Sequence, residues 1–431
     1  MTQRKQRRSF LLGHMRIAPA AAPLVIALAV SLAPSVQAQT FSVIHDFAGG
    51  QGGASPQAGL TMDQRGDLYG TTFSGGVGFG TVFRMTKRGS NWILTPLYSF
   101  LGGDDGAHPF AGVTIGPDGS LYGTTYYGGG GKCVICGIVF SLKPPPVRPP
   151  TPLSPWTETV LYRFTGDDGQ YPEGGDLVFD EAGALYGTTS QGGTYGLGTV
   201  FELIPSNGNW MESVLYSFGP SDQDGIVPRS GVVFDKAGNL YGTTWDAFRG
   251  TGQRAPQEGT GGIVFQLTPS GAGWAETIIH RFTRGNDGGA VWAGVIFDQS
   301  GNIYGATTWQ GSGGGGVVFE MTASGNNWTF TSLYGLAGTG VECGVYGSLV
   351  LYQGSLYGTT LCDGAYGLGS IFKLVPSSGG WTHVSLHDFT GGSDGAYSYS
   401  NLVFDADGNF YGTASAGGAN GMGVVFKVTP N

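Results

Sequence analysis

Leu68-Tyr69-Gly70-Thr71-Thr72 decides the fold, because it returns. Its tyrosine recurs at Tyr122, Tyr186, Tyr241, Tyr304, Tyr357 and Tyr411, at intervals of 53, 64, 55, 63, 53 and 54 residues. The fifth copy, Tyr304-Gly305-Ala306-Thr307-Thr308, reads as stretched by one residue, and the seventh ends Gly412-Thr413-Ala414. A period near this length is that of a four-stranded propeller blade, a unit that buries its sheet only against its neighbours. Seven copies therefore predict an all-β, seven-bladed β-propeller.

The third copy shows the blade most clearly. Residues 176–180 read as strand A, 184–189 as strand B, 199–203 as strand C and 210–218 as strand D. Turn residues at 181–183 and 205–209, and a Gly-rich loop at 191–198, separate these β-branched and aromatic runs. Runs such as Leu177-Val178-Phe179 do not alternate with polar residues, as expected of strands covered on both faces. Small pairs precede strand A (Ala58-Gly59, Ala111-Gly112, Ser230-Gly231, Ala293-Gly294), which suits a crowded axis. The recurring aspartates of the A–B turns, as in Asp235-Lys236-Ala237-Gly238-Asn239, are hairpin chemistry. Residues 41–47 align with strand D and 423–428 with strand C, so the N-terminal strand is expected to complete the seventh blade and leave no free edge. Insertions fall at 144–155 and 246–259.

The chain has 431 residues, 81 of them glycine, and a net charge of −9, which argues against nucleic acid as a partner because phosphate binding needs a basic face. Residues 1–38 read as an export signal. Arg4, Lys5, Arg7 and Arg8 precede a short apolar run at 24–33 and a cleavage-like Val36-Gln37-Ala38. Ten apolar residues are too few to span a bilayer, so no transmembrane segment is expected in the mature chain. Arg7-Arg8-Ser9-Phe10-Leu11 leaves the Sec and twin-arginine routes both open. The mature chain, 39–431, is expected as one monomeric propeller domain in the periplasm or outside the cell. Four cysteines fit that compartment. Cys343 and Cys362 fall at the same end of a hairpin whose turn lies near Gln353-Gly354, and Cys133 and Cys136 share a Gly-rich loop; two local disulfides are expected, and an isolated C-x-x-C gives zinc little support.

Units such as Leu215-Tyr216-Ser217-Phe218, Gly231-Val232-Val233-Phe234-Asp235 and Gly238-Asn239-Leu240-Tyr241-Gly242-Thr243-Thr244 resemble the GloVer tandem-repeat family over nearly all of 41–431. The resemblance implies an exported bacterial protein of undefined activity, often with a variable C-terminal anchor, and it carries no catalytic residues. This chain departs from the pattern in having no recognisable anchor.

Chemistry is sparse. His45, His280 and His387 occupy the strand D slot held elsewhere by Tyr98, Tyr162, Tyr216 and Tyr334, which suits an apolar body with a polar tip. His108 and His383 are unpaired in sequence. Gly391-Gly392-Ser393-Asp394-Gly395 matches a nucleophile elbow but lacks the strand-to-helix turn, and Gly131-Lys132 is followed by Cys133 where a phosphate loop needs Ser or Thr. The D–A loops carry Asp104, Asp105, Asp167, Asp168, Asp222, Asp224, Asp287 and Asp394, a broken ring that reads first as Asp-Gly turn chemistry and second as a Ca²⁺ site. The same face gathers Tyr126, Tyr127, Tyr195, Trp245, Trp292 and Trp309, candidates to stack on sugar rings. Asp176 and Asn401 are polar where other repeats have small residues. Two readings follow. One is a non-catalytic binding or scaffold propeller that engages extracellular glycan, or a cell-surface protein, through this face. The other is an exported lyase or hydrolase with its site at the channel mouth.

Overall fold

The computed structural model describes residues 39–430 apart from 147–154, 221–223, 248–260, 272, 326 and 339–341. The expected signal segment and Asp222 lie outside the described residues. Residues 39–430 form seven four-stranded antiparallel sheets arranged as a β-propeller, each ordered A-B-C-D from the inside out. In blade 3 these strands are Val178–Phe179, Leu185–Thr189, Thr199–Ser206 and Asn209–Ser217. Strand A is shorter than its sequence suggested. Strand C is longer, because Pro205 pairs with Trp210 and the C–D hairpin turns only at 207–208. Thr40–Asp46 pairs with Val424–Thr429 as the outer strand of blade 7, the closure read from the register. The hairpin of blade 6 does turn at Gln353-Gly354, both in the left-handed region, as a two-residue hairpin of this type requires.

Each residue of the repeated motif has a physical task. The glycine accommodates a phenylalanine: a Cβ on Gly242 would stand 2.5 Å from Phe265, and one on Gly70 2.6 Å from Phe83. These are strand C residues of the same blade, and the pairing recurs in all seven. The strand C phenylalanine then meets, edge to face, the phenylalanine ending strand D of the preceding blade, as in Phe100–Phe140, Phe218–Phe265 and Phe47–Phe83. The tyrosine packs under the strand D tryptophan of the next blade, as Tyr122 does under Trp210. Its hydroxyl donates to the aspartate of its own A–B turn, as in Tyr411 to Asp405 at 2.9 Å.

The first threonine fastens blade to blade. Thr71 donates to the Ala111 carbonyl, Thr188 to Ser230, Thr243 to Ala293 and Thr359 to Ser400. The second threonine anchors the B–C loop, as Thr72 and Thr189 do by donating to the carbonyl two residues on. The fifth copy is not stretched. Ala306 pairs with Val318 as Thr71 pairs with Val82, and Thr307 receives the Val317 amide as Thr244 receives Ile263. That copy has full length, with alanine in place of the first threonine.

Candidate functional site

Just before strand A, every blade places one large residue at the axis: Gln57, Phe110, Glu173, Arg229, Trp292 and Tyr346 in blades 1 to 6, and Tyr399 in blade 7. The backbone explains the aim. A non-glycine residue with φ between 54° and 61° precedes each of them by two to four positions, from Ser55 in blade 1 to Glu342 and Tyr397 in blades 6 and 7. Most of these residues also accept an amide hydrogen bond from the residue after the second threonine, as Val227 does from Trp245. A left-handed conformation is costly for such residues and persists because these bonds impose it.

The ring is asymmetric. Blades 2, 5, 6 and 7 supply aromatics in mutual contact: Trp292–Tyr346 at 4.8 Å, Tyr346–Tyr399 at 5.1 Å, and Phe110 at 6.2 Å from both Trp292 and Tyr399. Blades 3 and 4 supply an ion pair, Arg229–Glu173 at 3.3 Å, with Glu173 buried. The Arg229 guanidinium also lies over Trp292 at 4.0 Å and Trp245 at 5.0 Å. Tyr126 sits beside the ring, 6.4 Å from Phe110 and stacked on Tyr171 at 4.8 Å. Burial pushes the hydroxyls of Tyr126, Tyr346 and Tyr399 upward. Burial also raises Glu173, against the pull of Arg229. Gln57 Oε1, Arg229 Nε and Trp245 Nε1 are buried without a hydrogen-bond partner among the described residues, an arrangement that leaves polar atoms for a ligand to satisfy.

Of the aromatics picked from sequence, Trp292, Trp245 and Tyr126 converge here, and Tyr127 packs 4.4 Å from Tyr126. Trp309 lies instead under Arg284, at 5.0 Å, and Arg284 pairs with Asp246. Tyr195 is exposed on the B–C loop of blade 3. Phe110, Glu173, Arg229, Tyr346 and Tyr399 escaped sequence reading. The visible signal for them in the sequence is the position just before each small pair, as Phe110 stands before Ala111-Gly112 and Arg229 before Ser230-Gly231.

The D–A loop carboxylates do something specific. Strand D carries a bulge at the Tyr or His of the common slot in every blade. In five blades the tip of that residue meets the aspartate of its own D–A loop: Tyr98–Asp105 at 2.8 Å, Tyr162–Asp168 at 2.6 Å, Tyr216–Asp224 at 3.1 Å, His280–Asp287 at 3.4 Å and His387–Asp394 at 3.0 Å. The same carboxylates accept backbone amides at the start of the loop, as Asp394 does from Thr390 and Asp105 from Leu101. Asp104 and Asp167, first of their pairs, are exposed. Among the described residues no three of His, Cys, Asp and Glu gather as a metal cluster. Both expected disulfides are present, Cys133–Cys136 and Cys343–Cys362.

The repeat matches a family description three times over. The model of the Gloeobacter/Verrucomicrobia repeat fits residues 30–148, 137–255 and 246–431. The chain belongs to this family. No curated protein matches this repeat protein. Among solved structures it is similar to a PL25 polysaccharide lyase, an ulvan lyase, at 11% identity and TM-score 0.54 over 90% of this chain and 95% of the other. A structure of such an enzyme bound to -[GlcA(1-4)Rha3S]- gives 12%, 0.54, 90% and 95%. The polysaccharide lyase Uly1 gives 12% and 0.51 over 87% and 90%. At these identities the likeness is one of fold.

Proposed function

We propose that this repeat protein is an exported, non-catalytic binding propeller that holds an extended glycan across the channel mouth. The observation that carries this reading is the asymmetric ring. Its aromatics offer faces to sugar C–H groups, while Arg229, Glu173 and Gln57 offer donors and acceptors to hydroxyls. Burial holds the tyrosine hydroxyls of the ring protonated, and the one ring carboxylate, Glu173, is engaged by Arg229 at 3.3 Å. Two disulfides support an oxidising compartment. Among the described residues no helix is long and apolar enough to cross a membrane.

One observation favours the enzyme reading. The charge of Arg229 opposes the upward shift of both Tyr126 and Tyr346, and a lyase would use such a cation on a substrate carboxylate. A panel of soluble polysaccharides separates the two. Wild type should bind at least one, and a Trp292→Ala, Tyr346→Ala double variant should lose at least tenfold in affinity, while Tyr195→Ala should not change. Equal binding by wild type and the double variant would reject the mouth as the site. Release of shortened or unsaturated products would favour the enzyme.

A further inference from the structure

Tyr346 reaches the ring on a segment built unlike the other six. In every blade the residue three positions before the ring residue lies opposite the residue two positions after the second-threonine position. In five blades these two form an isolated antiparallel bridge, as Ala54 does with Ser74 and Ala107 with Tyr127, and two backbone hydrogen bonds of 2.8–3.1 Å hold each bridge. In blade 4 the pair, Ile226 and Asp246, belongs to a short two-stranded sheet. In blade 6 the same two positions are Cys343 and Cys362. Here one long backbone bond, from the Cys362 amide to the Cys343 carbonyl at 3.4 Å, accompanies a covalent link.

The backbone around Cys343 explains why. Just before the bridge, the other six blades have glycine, which seats against the second threonine: a Cβ on Gly53 would stand 2.3 Å from Thr72, and one on Gly106 2.4 Å from Thr125. Blade 6 has Glu342 there, at φ 61°. Its Thr360 turns the hydroxyl to Asp363 instead. Two positions before the ring residue, the other blades hold a left-handed non-glycine residue, whereas blade 6 has Gly344 outside that region. The local conformation that aims the other ring residues is therefore missing from blade 6. A disulfide suits the gap, because it joins two side chains and does not need two aligned peptide units.

The aim of Tyr346 runs through this link. Its hydroxyl donates to the Glu342 carbonyl at 3.0 Å, so the ring side chain is tied to the residue beside Cys343. Cys343 is tied in turn to Cys362, two residues beyond strand Ser355–Thr360, which is paired on both edges. Tyr346 touches both Trp292 and Tyr399, so a shift of this one residue breaks the aromatic arc in its middle.

We infer that the Cys343–Cys362 bond positions Tyr346 at the mouth, and that ligand binding there depends on it. The dependence of binding rests on the reading of the mouth as a glycan site; the positioning does not. The bond stands in for the backbone bridge of the other blades, and Tyr346 is the residue it serves.

The test compares the folded mature protein with its Cys343→Ala, Cys362→Ala variant. Hydrogen exchange read by mass spectrometry should quicken at 342–346 and 360–363, where the Gly344, Leu361 and Cys362 amides are bonded, while 53–57 and 72–75 in blade 1 keep wild-type protection. Affinity for a polysaccharide that wild type binds should fall about tenfold, as expected of a displaced aromatic anchor. In a Tyr346→Ala background, removing the disulfide should cost no further affinity, because the residue it aims is gone. Unchanged exchange at 342–346 would overturn the inference, as would an equal rise of exchange in all seven blades, or losses of affinity that add. Failure of wild type to bind any polysaccharide would remove the proposed function, and with it the dependence of binding on the bond, while exchange at 342–346 would still decide the positioning.

Discussion

Thr413 donates its hydroxyl to the carbonyl of Ala58, 355 residues earlier in the chain, at 2.6 Å. The bond is the blade-to-blade fastening of the repeat, and here it joins the last blade to the first. Thr413→Val keeps the shape and leaves the buried carbonyl unsatisfied, so stability should fall by about 1–3 kcal/mol in urea titration. The converse change, Ala306→Thr, supplies the hydroxyl that the seam between blades 5 and 6 lacks, and should raise stability by about 1 kcal/mol. A neutral Thr413→Val would show that the closing seam does not depend on this bond.

Gly242→Ala should be far costlier than an alanine in an open strand. The new Cβ would stand 2.5 Å from Phe265, and Phe265 is itself locked by Phe218 of the preceding blade. Overpacking of this kind costs about 1–3 kcal/mol or more. A second change, Phe265→Leu, frees space and should recover part of the loss relative to the sum of the single variants. Additive losses in that double-mutant cycle would disprove the clash.

Three successive seams hold a glutamate near the Tyr–Asp pair of the preceding blade. Glu158, Glu212 and Glu276 are each raised to about 7, first by burial and then by Asp105, Asp168 and Asp224. The folded state thus prefers these acids protonated. Their contribution is complete below the unfolded value near 4.5 and is lost as pH rises through about 7. His45, His280, His383 and His387, lowered by burial, act oppositely below 6.5. The Glu158→Gln, Glu212→Gln, Glu276→Gln triple variant isolates the acids. Its melting temperature should gain on wild type between pH 5 and pH 8, and a constant difference would refute the shift.

Much of this was legible in the sequence, and the boundary is physical. The seven Tyr-Gly-Thr-Thr copies exposed the blades because each residue of the motif meets an identical environment seven times, so identical residues recur. The closure by Thr40–Asp46 was legible for the same reason. The mouth was not. Gln57, Arg229 and Tyr399 share a position but not a chemistry, and only the ring brings them together. The loop aspartates misled in part, since Asp394 and His387 lie seven residues apart and their bond depends on a bulge that sequence does not announce.

The Cys343–Cys362 bridge closes a segment with a separation of 19 residues and ties the D–A loop to the B–C loop of blade 6. In the chain-entropy model a loop of this length gives about 3 kcal/mol. Cys343→Ser, Cys362→Ser should lower the denaturation midpoint accordingly, whereas Cys133→Ser, Cys136→Ser, with a separation of 3, should shift it little. Peptide mapping without reductant checks the pairing. Free thiols at all four positions in exported protein would contradict it.

The strand that completes blade 7 also sets an order of events during synthesis. Thr40–Asp46 is the first described strand to leave the ribosome, and its partner Val424–Thr429 is the last. Until that final strand arrives, the first has no hydrogen-bonding neighbour, however many blades have formed between them. For nearly the whole of translation the chain therefore carries one unpaired β-edge, the kind of surface that recruits other chains. Holding that edge apart until release is a task for whatever accompanies the nascent chain, and slowed elongation at any point after the edge has emerged should aggravate aggregation by prolonging its exposure.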